Sequence, residues 1–321
     1  MTAVNDSTLT FVIELVNRRS ATCPFFTILS AGSWARLRQG LWGSLPMTPL
    51  FLTLPPGPAL AGWVARHQII RFRFPAGERA PIKPYWPRPA CALAFYPRDP
   101  EALIDAAGRV TIKPRAVLIG QPTALTRRAG GADFCVYQIE FEPGALRRLA
   151  GMSMAELTDQ ALDAEAVFPD LRAIADQIAE ASTAEAMIAA AEAWLTTRVA
   201  ACGRDPDRVD WAAAQLIRGG AGSLDRLARR IDLAPRALHR AFRDRLGVSP
   251  KLFARIARLD RLIRARNADP AADWLSLAVG AGYYDHQHMA RDFRDLCGVG
   301  PSRFLAAEAV APERRFGIAE L

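Results

Sequence analysis

The sequence predicts an α+β protein of two domains, with a small antiparallel β barrel or sandwich and flanking helices first, and an all-α domain after it. Three observations lead there. Short apolar or alternating stretches broken by proline and glycine fill residues 51–141, the pattern of β-strands. Helical periodicity takes over after Phe141-Glu142-Pro143-Gly144. The chain also writes one stretch twice: residues 240–253 and 291–304 align without a gap at an offset of 51, with eight identities in fourteen positions.

In chain order, residues 1–46 carry no clear period. Phe11 to Val16 fits a strand or a helical turn, and Arg36, Leu37, Arg38 and Trp42 fit neither. Met47 opens a segment that reads like a natural beginning, so residues 1–46 are expected to be a disordered tail or an upstream extension of the reading frame. Gln68 to Phe74 alternates, with Ile70, Phe72 and Phe74 on one face and Arg71 and Arg73 on the other. Phe134 to Phe141 alternates too, placing Cys135, Tyr137, Ile139 and Phe141 together. Between them, residues 90–96, 109–112 and 116–119 read as short strands. Such closely spaced strands suit a small barrel or sandwich. Helices are expected at 145–149, 154–157, 171–181 and 183–201. The last two carry apolar stripes able to cover the apolar face of the sheet, from Leu171 to Ile178 and from Met187 to Val199. The expected division is an extension at 1–46, an N-terminal domain at 47–201, a linker at 202–207, an all-α domain at 208–305 and a tail at 306–321.

Charge separates the two domains. Residues 208–305 contain 18 Lys or Arg and 10 Asp or Glu, a balance of +8 that equals the whole chain's, so the other 223 residues sum to zero. A basic domain beside a neutral one is the electrostatic footprint of a nucleic-acid binder carrying a separate module. General arginine richness, with lysine only at Lys83, Lys113 and Lys251, does not explain an excess confined to one segment. The five cysteines, at 23, 91, 135, 202 and 297, are spaced too widely for a disulfide framework or a paired-cysteine zinc site. A reducing, cytoplasmic setting is expected. No apolar run reaches the roughly 18 residues that would span a bilayer, and the first residues make a poor signal peptide.

Each repeat is a short apolar helix, a tight turn, a second helix ending in Phe-Arg-Asp and a Gly-Val-x-Pro exit. Leu224, Leu227, Ala228 and Leu238 in the first pair with Leu275, Ala278, Val279 and Met289 in the second. Two helices joined by a short turn, the second rich in arginine, form the helix-turn-helix pattern. The all-α domain is thus two helix-turn-helix units joined by a long helix over residues 249–267, preceded by a helix at about 206–218. Ser223, Asp273 and Asp285 are expected N-caps, and Pro235 suits a first helical turn. Leu238, Phe242 and Leu246 face inward in one second helix, as do Met289, Phe293 and Leu296 in the other. Arg236, His239, Arg240 and Arg243 then face outward in the first, and His286, Gln287, Ala290 and Arg291 in the second. Arg240 also has a scaffold reading, since its partner Arg291 keeps it in both copies. His286 and His288 stand on different helix faces and do not share a metal ion. Arg255, Arg258, Arg261, Arg264 and Arg266 make a basic surface on the long helix, mostly solvated or paired, with one or two on phosphate.

On these motifs the C-terminal hundred residues resemble the DNA-binding domain of AraC/XylS-type transcription regulators. The resemblance implies a sequence-specific regulator whose two recognition helices enter successive major grooves about 34 Å apart. It implies base reading by Arg236, His239, Arg240, His286, Gln287 and Ala290, and phosphate contact by Arg243, Arg291 and Arg294. Relatives place Ser or Thr where this chain has Ala234. The partners implied are double-stranded promoter DNA, RNA polymerase, a small-molecule effector and a homodimer formed through the helices that follow the barrel. The run from Leu54 to Val64 resembles the opening of a sensor-like domain in some of these regulators, which assigns residues 47–201 to sensing or dimerisation.

The N-terminal domain offers little chemistry of its own. It holds one histidine, His67, where a metal-dependent barrel needs clustered ligands, so no metal or other cofactor is expected. No nucleophile elbow or phosphate-binding glycine loop is present, and an enzyme is not expected. A fused DNA-repair activity through a zinc-bound cysteine would need clustered cysteines. Tyr85, Trp86, Phe95, Tyr96 and Arg98 are candidates to line a small-molecule pocket, or the aromatics are plain core; a ligand-free protein-interaction module is the alternative for the whole domain.

Overall fold

The computed structural model describes residues 50–309 apart from 75–81, 106, 221 and 270. The expected extension at 1–46 and the tail beyond 309 lie outside the described residues. Ten strands are described: β1 (Leu50–Leu54), β2 (Val64–Arg73), β3 (Lys83–Tyr85), β4 (Ala92–Phe95), β5 (Ala102–Ile104), β6 (Val110–Ile112), β7 (Ala116–Ile119), β8 (Thr126–Ala129), β9 (Asp133–Phe141) and β10 (Ala161–Asp163). They form a six-stranded sheet, β1-β2-β9-β4-β7-β10, and a four-stranded sheet, β3-β8-β5-β6. All named pairings are antiparallel.

The two alternating stretches pair with each other, Ile69 opposite Tyr137 and Arg71 opposite Cys135. Because side chains alternate across a strand, Cys135, Tyr137, Ile139 and Phe141 fall together in the main core. Four helices follow: α1 (Ala145–Ala150), α2 (Ala164–Val167), α3 (Leu171–Glu180) and α4 (Ala184–Cys202). Leu171 and Ile178 of α3 and Met187, Ile188, Ala191 and Leu195 of α4 complete that core, so their apolar stripes cover the sheet. The other sheet face carries a smaller cluster of Ala94, Tyr96, Val117, Phe134 and Val136. There Tyr96 donates to Glu101 at 2.9 Å, and buried Lys113 bonds both, tying the small sheet to the large one. His67 is structural: its Nδ1 lies 2.8 Å from the Tyr137 hydroxyl and its Nε2 3.0 Å from Glu192, which also accepts from the Gly57 N–H.

The C-terminal domain consists of α5 (Arg208–Arg218), α6 (Leu224–Arg230), α7 (Pro235–Leu246), α8 (Pro250–Ala268), α9 (Trp274–Gly280), α10 (His286–Cys297) and α11 (Pro301–Ala309). Every predicted helix is there; α11 was not foreseen. Ser223, Ser249, Asp273 and Asp285 cap their helices through side-chain acceptors, whereas Ala234 provides none. Gly247 and Gly298 end the recognition helices α7 and α10 in the left-handed region, at φ 82° and 72°.

The repeat differs from its sequence alignment in one place. The caps Ser223 and Asp273 are 50 residues apart, while α7 and α10 keep the offset of 51. Buried Ala228 therefore matches buried Ala278, not Val279, which is 59% exposed. The second turn is one residue longer and carries Tyr284, 90% exposed. Turn length could not be read from the gapless copy, which begins after the turn.

The domains are joined by more than the linker. Trp86, from the loop after β3, lies in the core of the second unit with Ile256, Leu259, Phe293 and Phe304. Its indole donates to Asp260 of α8 at 3.2 Å. Arg148 of α1 and Arg245 of α7 meet at buried Asp210 of α5.

Candidate nucleic-acid interface

The recognition helices owe their orientation to apolar spacing. Leu238, Phe242 and Leu246 recur every four residues in α7 and are buried, so the opposite face is presented to solvent. Arg236, His239, Arg240 and Arg243 are all exposed there, at spacings that make one row along the helix. In α10, His286, Gln287, Arg291 and Arg294 are exposed. The side chains of these eight residues form no hydrogen bond or ion pair with any other described residue.

Ala290 does not join that row, being 8% exposed. The buried stripe of α10 is wider than that of α7 and takes in Met289, Ala290, Asp292, Phe293, Leu296 and Cys297. Asp292 explains part of the width. Its carboxylate accepts from Arg255 at 2.7 Å and from Arg258 at 2.8 Å, drawing that flank of α10 against α8.

The arginines of α8 all have protein partners, the paired state expected of most of them. Arg255 also pairs with Asp295, at 2.5 Å. Arg261 donates to the carbonyls of Leu216, Ile217 and Ala281, Arg264 to Asp260, and Arg266 to the carbonyl of Ala272. Arg258 donates towards His288 Nε2 at 3.0 Å, which requires that nitrogen to be unprotonated. Burial first, then Arg258, lower the His288 pKa from its usual value, consistent with a neutral ring. His288 thus faces α8 while His286 faces solvent.

One feature of the surface was missed in sequence. With the offset of 50, exposed Asp225 and Arg229 of α6 correspond to Leu275 and Val279 of α9, which are 54% and 59% exposed. The first unit has a charged outer face on its leading helix and the second an apolar one. The signal was available in the caps, which register the helices independently of the copied stretch.

The five residues proposed for a small-molecule pocket are not brought together. Phe95 points into the main core and Tyr96, its neighbour, to the opposite face. Trp86 belongs to the second helix-turn-helix unit. Tyr85 stacks with Arg128, whose guanidinium is 4.6 Å from the ring centre, and Arg98 is exposed. Strand alternation separates the first pair and domain docking removes the tryptophan.

Among the described residues no group of three or more His, Cys, Asp or Glu could hold a metal ion, and no helix is long and apolar enough to cross a membrane. Burial pushes the Cys91 and Cys297 thiols up to about 12, so neither is a ready nucleophile.

Residues 227–307 match a helix-turn-helix domain family, and residues 52–163 match a domain of unknown function, DUF6597. No curated protein matches the chain by sequence. Among solved structures, the chain is similar to an apo lysine-to-alanine variant of ToxT from Vibrio cholerae, at 10% identity and TM-score 0.44 over 78% of this chain and 98% of that one. It is also similar to Vibrio cholerae ToxT bound to (E)-4-(8-methylnaphthalen-1-yl)but-3-enoic acid, at 12% identity and TM-score 0.43 over 75% and 97%. The AraC-like transcriptional activator CuxR follows at 14% identity and TM-score 0.25 over 67% and 80%.

Proposed function

We propose that this chain, whose C-terminal domain is a double helix-turn-helix module of the AraC type, is a transcription regulator that reads two short DNA segments in successive major grooves. One observation carries this reading. The arginines of α8 are all held by protein partners, whereas those on the outer faces of α7 and α10 are exposed and have no partner among the described residues. Arginine without a protein partner can fork onto guanine O6 and N7 or onto phosphate.

Arg236, His239 and Arg240 are the base readers of the first segment and His286 and Gln287 those of the second, with Gln287 suited to adenine. Arg243, Arg291 and Arg294 meet phosphate and set the register. Ala290, buried, contributes shape only. Residues 47–201 form the regulatory domain and 202–207 the linker. A small molecule or a protein partner of that domain modulates binding, and RNA polymerase is the downstream partner. Thermal-shift screening separates the first two, because a ligand at 100 times its Kd adds about 2.7 kcal/mol.

Selection of bound duplexes from a random library, at stated salt, tests the reading. Two enriched motifs centred about 10 bp apart support it. Enrichment of a single motif, or of none, overturns it.

A further inference from the structure

The N-terminal domain touches the C-terminal ends of both recognition helices. At the first, the Thr158 hydroxyl donates to the carbonyl of Gly247, the residue that ends α7, at 2.8 Å, and Arg147 donates to Asp244 at 3.1 Å. The approach is close enough that a methyl group on Gly247 would overlap Thr158 and Met154, whereas the matching Gly298 has open space around it. At the second, the Leu125 N–H donates to the carbonyl of Leu296, in the last turn of α10, at 3.0 Å. Beside it Trp86 fills the second unit's core and bonds Asp260.

The three loops that make these contacts are tied to one another. Gln121, buried, donates to the carbonyl of Arg88 at 2.8 Å, which fixes the Trp86 loop. The Asp159 carboxylate accepts from the N–H and hydroxyl of Thr123 at 2.7 and 2.6 Å, which fixes the Leu125 loop beside Thr158. Asp159 holds φ at 58°, a conformation that a non-glycine residue keeps only when its surroundings impose it. Gly120 completes the tie, since any side chain there would collide with the backbone of Leu157.

The two recognition helices are therefore spanned twice, by α8 and by this cross-tied plate. A single helix between two units leaves bending and twisting open. A second span closes them. We propose that the N-terminal domain acts as a length gauge, fixing the separation of α7 and α10 and so the number of base pairs tolerated between the two DNA segments. The inference rests on the two-segment reading above. Shifting one segment by a base pair moves it by about 3.4 Å and turns it by about 35°. A braced protein cannot follow that change without deforming the DNA.

The test uses the full chain and the two motifs selected by it, placed at the preferred spacing and at one and two base pairs more or less, with a one-motif duplex as control. The wild-type chain loses about tenfold or more in affinity for each base pair of displacement, the loss of one bidentate contact or more. The double variant Thr158→Val, Asp159→Ala, which removes the Thr158 bond to the end of α7 and frees the Thr123 loop, binds all spacings within about threefold while keeping wild-type affinity for the one-motif duplex. Trp86→Ala flattens the profile in the same way. An unchanged spacing profile in the double variant, or a wild-type chain indifferent to spacing, overturns the gauge even if Trp86→Ala does not fold. Failure of the wild-type chain to select two motifs overturns the two-segment reading instead.

Discussion

Asp232 and Gly282 occupy the same point in the two helix-turn-helix units, each with positive φ, 50° and 93°. The chain makes the same backbone reversal twice, once with a residue that resists it. Gly282→Ala is expected to cost about 1–2 kcal/mol, since the site has room for the methyl group but not the conformation. Asp232→Gly changes stability by less than about 0.5 kcal/mol, because relief of the left-handed conformation is offset by a more flexible unfolded chain. Denaturant unfolding of both variants checks the pair.

Arg236→Ala and Arg243→Ala separate reading from anchoring. The first relaxes base preference in one segment by about 1–3 kcal/mol, and the second weakens all sequences alike while lowering the salt slope by about 1. Arg255→Ala, which removes a partner of Asp292 and Asp295, lowers stability and leaves the salt slope of the folded protein unchanged. Binding titrations at several salt concentrations distinguish the three. Equal losses on specific and scrambled DNA for Arg236→Ala would refute its role as a base reader.

Asp210 joins α1, α5 and α7, accepting two bonds from Arg245 at 2.8 and 2.7 Å with Arg148 at 3.5 Å. Asp210→Ala leaves Arg148 without its counter-charge at a buried site, while Arg245 keeps Asp207 at 3.0 Å, and should destabilise by about 3–5 kcal/mol. Chemical denaturation measures it, and a loss under 1 kcal/mol would mean that solvent already reaches the pair.

Acid should loosen the N-terminal domain through Glu140. Burial opposes its charge, but Arg88 and Arg66 outweigh it and hold the carboxyl down at about 2, against 4.5 for the free group. A folded-state pKa below the unfolded one stabilises above pH 4.5, and that stability fades as pH falls towards 2. Glu140→Gln should remove about 3 kcal/mol at neutral pH and flatten stability across the same window. Unfolding curves between pH 2 and 7 for both proteins read the difference.

The missing cap at Ala234 makes Ala234→Ser a stabilising change of about 0.5–2 kcal/mol, and Asp285→Ala the matching loss in the second unit. Thermal unfolding reports both, provided the backbone at residue 234, already extended at ψ 148°, accepts the serine.

The helices of the C-terminal domain were legible because the signals that make them are local. Caps, the spacing of Leu238, Phe242 and Leu246, and the glycines at 247 and 298 each act within a turn or two of chain. The two long alternating strands were legible for the same reason. β1 and the short strands β3, β5, β8 and β10 were not: β4, β6 and β7, equally short, stood out as apolar runs between proline and glycine, whereas these depend on neighbouring strands for their hydrogen bonds. In the candidate interface, seven of the eight outward residues named on the two helix faces are exposed, and Ala290 is the exception.

By itself the sequence determined that there are two helix-turn-helix units, where their helices begin and end, and which side chains of α7 face outward. Tertiary structure alone decided which arginines are available to a partner. Asp292 and Asp295 become acceptors for Arg255 and Arg258 only once folding sets α10 against α8. The same holds for Trp86, whose apolar ring was bound to be buried but whose destination, 174 residues away beside Asp260, depended on how two finished surfaces met. Periodicity records that a side chain leaves water; it does not record which neighbour takes water's place.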